Sequence, residues 1–168
     1  MALPLSRIVV PSFERSLTAL STILAKAEAH ATAKKIDPSV MLGLRLAPDM
    51  FALTRQVQVA CDFAKGAAAR LSGTENPAFA DTETTFEALR ERIAKTLAFV
   101  KSCPTAAMDG WADKDVTLKV RGQDVTMKGE PYLVHAVLPN FYFHMTAAYA
   151  ILRANGVDIG KSDFLGQA

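Results

Sequence analysis

Two cysteines, Cys61 and Cys103, are all that 168 residues contain. A small secreted scaffold stapled by disulfides carries more. Cys61 lies in an apolar helical stretch and reads as a buried free thiol. Charge of one sign is never concentrated: 19 basic and 17 acidic residues are mixed along the chain to a net charge of +2. A nucleic-acid-binding domain needs a clustered basic face, so that class is set aside. Apolar runs fall short of the roughly 18 residues that span a bilayer. The stretch from Met1 to Pro11 is interrupted by Pro4, Ser6 and Arg7, which leaves no signal-peptide core. The expectation is a cytoplasmic protein with neither nucleic acid nor membrane as a partner. The chain also lacks a glycine-rich phosphate loop, a G-x-S-x-G elbow, a C-x-x-C pair and an H-E-x-x-H helix.

What is present is material for helices. Half of the residues are hydrophobic, and Ala and Leu supply much of that half. A chain of this length fits one domain and buries roughly 70% of the surface its unfolded form exposes, enough to fold without a metal or disulfide staple. Phe13, Leu17, Leu20, Leu24, Ala27 and Ala31 alternate spacings of four and three, one face of an amphipathic helix over about 11–33. Asp37-Pro38 is a helix start with a cap and a proline at the first position. Pro48 opens a second long helix over 48–72, with Met50, Leu53, Val57, Ala60, Ala64, Ala67 and Leu71 inward and Gly73 as its stop. Thr84 with Glu87 forms a capping box for a third helix over 84–103. Val116, Leu118 and Val120, then Val125 and Met127, alternate with polar residues around a turn at Arg121-Gly122-Gln123-Asp124, a hairpin near 115–128. The last helix covers 131–155 and contains Pro139, where a kink is expected. The tail keeps Ile159, Phe164 and Leu165 and should dock. The fold class that results is mainly all-α, an antiparallel four-helix bundle with a small β-hairpin before the last helix, in one domain over 1–168.

Polar residues on an inward stripe carry the functional reading. His144 occupies such a position in the last helix, and Asn140 lies one turn earlier. Buried polar groups need partners, because each unpaired one costs about 1–3 kcal/mol. Gln56 and Gln58 of the second long helix are the candidate partners. Two roles fit His144: a satisfied core histidine that keeps two helices in register, or a ligand-binding or catalytic imidazole. His135 falls on the opposite helix face, and His30 sits near the end of the first helix. Asp81, Glu83, Glu87 and Glu91 are read as outward-facing. Asp49 and Asp62 are the carboxylates worth following.

The run Leu138-Pro139-Asn140-Phe141-Tyr142-Phe143-His144, followed by Ala147-Ala148-Tyr149-Ala150-Ile151-Leu152-Arg153-Ala154-Asn155-Gly156-Val157, resembles the last helix of the DinB-like superfamily. That superfamily includes YfiT-like metal-dependent hydrolases and thiol-dependent transferases. Asp37-Pro38, Arg45-Leu46-Ala47-Pro48-Asp49-Met50, Asp81-Thr82-Glu83-Thr84-Thr85-Phe86 and Lys161-Ser162-Asp163-Phe164-Leu165-Gly166 resemble the recurring segments of an uncharacterised bacterial branch. The resemblance implies a histidine pair spaced H-x-x-x-H on the last helix and a third histidine on helix two. Those positions fall on Asn140, His144 and Gln56, so one imidazole of three is kept. Asn and Gln are poor ligands for zinc or nickel. The reading that follows is a degenerate metal site turned into a polar pocket of His144, Asn140 and Gln56, with no metal and no cofactor. The pocket would take a small-molecule ligand, and its chemistry and reaction are unknown. The alternatives are a metal-dependent hydrolase or thiol-dependent transferase drawing ligands from Asp49, Asp62 or His30, and a structural or partner-binding dimer. Bundles of this superfamily pair, and Phe141, Tyr142 and Phe143 spread aromatic surface around the last helix, so a homodimer is expected.

Overall fold

The computed structural model describes residues 3–120 and 122–166. Arg121 of the expected turn, the first two residues and the last two lie outside the described residues. Four long helices dominate: α1 (Ser6–Lys34), α3 (Leu53–Ser72), α4 (Phe86–Ser102) and α7 (Leu138–Ala154). Short helices α2 (Pro38–Leu42), α5 (Thr105–Asp109), α6 (Gly129–Pro131) and α8 (Lys161–Leu165) lie between and after them. Strands β1 (Asp115–Val120) and β2 (Gln123–Lys128) form one antiparallel hairpin, with Thr117 opposite Thr126 and Leu118 opposite Val125. Gly122 takes φ +83° in the connecting turn, a conformation that glycine adopts without a Cβ penalty.

α3 packs on both α4 and α7, and α1 closes the ring against α4 and α7. Side-chain pairs fix the relative directions. Glu28 meets Arg90 and Glu14 meets Lys101, so α1 and α4 run antiparallel. Gln56 meets His144 and Arg70 meets Tyr132, so the segment 132–154 runs antiparallel to α3. One contiguous core of buried apolar side chains runs from Leu5 to Ile159 and takes in Phe13, Leu20, Val57, Leu89, Phe141 and Ile151.

Several boundaries differ from the sequence-based expectation. α1 starts five residues earlier and carries Pro11 inside it. A proline there costs about 3 kcal/mol. Leu5 and Val9 extend the buried stripe of Phe13 at four-residue spacing, and burying two such side chains contributes about 3–6 kcal/mol. Packing therefore outweighs the proline. α1 is also long and apolar enough, by length and composition, to cross a membrane. This corrects the expectation that no segment is, and the helix's apolar face is spent inside the bundle, where nine of its residues are buried. α3 begins at Leu53 and not at Pro48, because 43–52 is an irregular stretch whose end is tied by Leu53 N–H to the Leu44 carbonyl. The cap of α4 is Thr85, which accepts from Ala88 N–H at 3.0 Å, one residue after the expected Thr84.

The last helix is not continuous. Tyr132–Val137 is π-helical, directly before α7. Pro139 has no N–H to close on the His135 carbonyl, and its ring crowds that carbonyl. Widening the preceding turn relieves both problems, which gives the expected kink its form. The tail docks as expected: Arg15 Nε donates to the Leu165 carbonyl at 2.7 Å, and Lys26 pairs with Asp163 at 2.7 Å.

The hairpin joins the bundle through a tight backbone crossing. Gly129 N–H donates to the Lys114 carbonyl, and a Cβ at residue 129 would stand 2.1 Å from the Trp111 carbonyl oxygen. Gly110, by contrast, has ordinary space for one. Gly129→Ala should lower stability by about 1–3 kcal/mol through overpacking against rigid backbone, and Gly110→Ala should leave it nearly unchanged. Urea unfolding of the two variants checks this, and equal midpoints would contradict the assigned crossing.

Candidate functional site

His144 is 8% exposed and sits where α7 faces α3. Its Nδ1 lies 2.7 Å from Gln56 Oε1. The amide of Gln56 donates through Nε2 to the Phe51 carbonyl at 3.1 Å. The imidazole plane lies within 19° of the rings of Phe51 and Phe63, with centroids 6.3 and 5.9 Å away, and Phe143 meets it edge-on at 5.2 Å. Phe51 and Phe143 are themselves 50% and 55% exposed. The second ring nitrogen, Nε2, has no protein hydrogen-bond partner among the described residues. It is also not among the fully enclosed unpartnered atoms, so it is in reach of solvent. Burial, and then the charge of Arg55, hold the imidazole below its ordinary 6.5 and keep it neutral near pH 7.

The other residues singled out from the sequence are scattered. Asn140 is a correction: it is exposed, and its Nδ2 donates to the Ala136 carbonyl at 2.6 Å. The buried stripe of α7 is centred on Phe141, Met145, Ala148 and Leu152. At about 100° per residue, His144, Ala147 and Ile151 share one flank of that stripe and are buried, whereas Asn140, on the same flank, sits in the first turn of α7 beside Pro139 and is exposed. Its amide instead serves the distorted turn before Pro139. Gln58 is buried but pairs with Glu83 at 2.8 Å and Arg55 at 3.3 Å, not with His144. Asp49 is exposed in the irregular stretch before α3, and His135 is exposed as expected. His30 is half-buried near Gly156.

The sequence reading missed a second cluster, which lies between α3 and α4 beneath the loop 73–85. Arg92 is 3% exposed. It pairs with Asp62 at 2.9 Å, Asp81 at 2.9 Å and Glu83 at 3.0 Å, and donates to the Ala80 carbonyl. Glu83 is therefore not outward-facing: burial pushes its carboxyl up, but hydrogen bonds from Gln58 and Arg92 bring it below the usual range. Lys65 lies over the Phe79 ring at 4.7 Å and donates to the Pro77 carbonyl, and burial lowers its ammonium from the ordinary value. A cavity of about 270 Å³ opens beside this loop, lined by Phe79, Glu83 and Arg92 among others. Cys61, next to the cluster, is pushed up to about 12 by burial, so it stays a neutral thiol and offers no nucleophile. Both cysteines are free and buried. The loop's ten or so irregular residues thus stay ordered by lending carbonyls and carboxylates to cations from α3 and α4.

The donor set does not fit a metal of the kind the resemblance implies. One imidazole is present at the site, the Gln56 oxygen is committed to it, and Asn140 points away. Among the described residues, no three His, Cys, Asp or Glu side chains are gathered so as to hold an ion, which includes Asp49, Asp62 and His30.

Four long helices, a hairpin leading into the last of them and a polar pair between α3 and α7 define a DinB-like bundle. The family described as a domain of unknown function (DUF1993) matches residues 5–165, and the chain belongs to that family. Its structure is similar to the crystal structure of a DinB family member protein from Shewanella denitrificans, at 42% identity and a TM-score of 0.91, covering 98% of this chain and 93% of that one. No curated protein matches the chain.

Two outcomes follow from these clusters. Arg92→Leu leaves the mostly buried Glu83 carboxylate without its cation, and should cost on the order of 3 kcal/mol. A loss below about 0.5 kcal/mol, the scale of an exposed pair, would contradict the buried role. For His144 the folded state favours the neutral ring, so the unfolded chain binds more protons below 6.5. Stability should be full above that pH and fall as pH drops beneath it. His144→Asn should flatten the fall just below 6.5, before the carboxylates titrate, and an unchanged slope would show that His144 is not its source.

Proposed function

We propose that this protein binds a small molecule at His144, without a resident metal, in a site derived from the metal position of DinB-like bundles. The observation that carries this is the state of His144 Nε2: a neutral ring nitrogen with no protein partner, in reach of solvent, flanked by the exposed rings of Phe51 and Phe143. A histidine retained only for helix register needs no solvent-reaching nitrogen beside exposed aromatic rings. Here one nitrogen is anchored and the other is in reach of solvent, on a ring neighboured by exposed aromatic surface that a planar ligand would cover. The site residues in this reading are His144 and Gln56, with Phe51 and Phe143 as its walls. Asn140 acts only through the backbone turn before it.

The metal-dependent reading has less support, because a single imidazole binds zinc or nickel far more weakly than a three-histidine set. The partner-binding reading draws on the same exposed rings, with a second copy covering them in a homodimer. One set of measurements separates the three. Purified wild type should contain no stoichiometric transition metal, and His144→Ala should leave metal content unchanged. Aromatic fragments screened by ligand-observed NMR should bind wild type and lose binding in His144→Ala. Stoichiometric zinc or nickel, removed by that substitution, would restore the metalloenzyme. A dimer mass in light scattering, together with exclusion of every fragment, would favour the interface.

A further inference from the structure

The amide of Gln56 has two chemically different ends, and the structure constrains both. Its Nε2 faces the Phe51 carbonyl at 3.1 Å. A carbonyl can only accept, so the NH2 end must be the one that points there. The Phe51 carbonyl is itself held in place, since it precedes the cap of α3 and the neighbouring Leu53 N–H is tied to Leu44. The oxygen end of Gln56 therefore faces His144 Nδ1 at 2.7 Å. An amide oxygen can only accept, so Nδ1 must carry the proton. A neutral imidazole has one proton, which leaves Nε2 with a bare lone pair. The chain of donors and acceptors from Phe51 through Gln56 to His144 thus sets the polarity of the one atom open to a ligand.

Building on the reading of His144 as a ligand site, we propose that Gln56 is a positioning residue that fixes the Nδ1–H tautomer, so that the site selects neutral, planar hydrogen-bond donors. The chemical class is an aromatic ring bearing a hydroxyl. The hydroxyl donates to Nε2, and the ring lies against Phe51 and Phe143, whose exposed faces supply stacking and edge contacts. Ring ethers and ring carbonyls of the same shape offer Nε2 no proton and set lone pair against lone pair, so they are rejected. The neutral state of the imidazole, kept by burial and the nearby Arg55 charge, preserves that preference near pH 7.

The test reads the tautomer directly. Long-range ¹⁵N–¹H correlation spectra of ¹⁵N-labelled protein at pH 7.5 should show His144 Nδ1 protonated and Nε2 unprotonated. Gln56→Glu keeps an acceptor facing Nδ1 and should keep Nδ1 protonated, although it loses the donor to the Phe51 carbonyl and its charge favours protonation of the ring at Nε2 as well. Gln56→Leu should move the ring toward the Nε2–H tautomer. A glutamine that only fills space beside the ring would give no such dependence on the acceptor. An Nε2–H ring in the wild type, or a pattern unchanged in Gln56→Leu, overturns the assignment. If Gln56→Leu does not fold, the wild-type spectrum alone decides it. The probes for the ligand class are phenol and its methyl ether, anisole. Phenol should shift the Nε2 signal of the wild type and anisole should not, and phenol should bind about fivefold to tenfold more weakly to Gln56→Leu, the worth of one net hydrogen bond. Equal responses to the two probes overturn the donor preference. No response to either, with the tautomer as expected, overturns the ligand reading of His144 while leaving the relay from Phe51 through Gln56 standing.

Discussion

Polar groups that helix α3 turns inward have to be satisfied by elements other than α3 itself, and much of the irregular structure follows from that constraint. A helix uses its own backbone donors and acceptors along its length, so its buried side chains must find partners across the interface. Gln56 takes the Phe51 carbonyl from the stretch before the helix and the imidazole from α7. Gln58 and Lys65 take Glu83 and the Pro77 carbonyl from the loop after it. The segments 43–52 and 73–85 contain no long helix or strand, yet they are ordered because they carry the complementary atoms. Arg92 extends the same logic to α4, and its Nε is the one buried side-chain atom left without a partner among the described residues. The bundle's two polar clusters are thus the two sides of one helix, with Arg55 between them: its guanidinium lies over the Phe51 ring at 5.9 Å and also pairs with Asp81.

Much of the fold was legible from apolar spacing, and each failure has a local cause. The stripes of α1, α3, α4 and α7 follow from residues such as Leu17, Val57, Ile93 and Ile151, because burial energy in a bundle is carried by side chains at these spacings. Stops were readable where the backbone itself is unusual, as at Gly73 with φ +71°. Starts were less so. Pro11 and Pro48 both resemble helix openings, but one lies inside a helix and the other in a turn of the irregular stretch 43–52, since tertiary packing decides which proline is tolerated. Thr84 and Thr85 are both good caps, and only the three-dimensional path of the chain selects Thr85.

The pairing of His144 with Gln56 follows from two inward polar residues on facing helices, whereas Asn140 shows the resolution of that argument. Ala147, about 20° from Asn140 in helical projection, is buried, so the two polar residues differ in their place along the helix and not around it: Asn140 lies in the first turn of α7, directly after the π-helical segment, where it is exposed, and His144 lies one turn further in, where α7 faces α3. The Arg92 cluster was illegible for a related reason. Arg92 precedes Ile93 on the flank of the α4 stripe, where charged residues usually face water. Its burial depends on the loop folding over it, and the acids that make this tolerable, Asp62, Asp81 and Glu83, are up to 30 residues away in sequence.

A single imidazole held by an amide suits different chemistry from a converging set of three. Three imidazoles converge lone pairs on one point, and their protons face away toward supporting carbonyls or carboxylates. In this protein the Gln56 amide oxygen faces the ring directly, at Nδ1. The amide holds His144 by Nδ1, and it cannot release that nitrogen without leaving its own oxygen unpaired in a buried position. The cost of such a buried orphan is about 1–3 kcal/mol, so the pair resists being opened by a weak ligand. The second ring nitrogen, Nε2, is in reach of solvent on a ring that Phe51 and Phe143 neighbour. Geometry of this kind suits recognition by one hydrogen bond and aromatic contact, on the helical frame that the chain shares with its DinB neighbour.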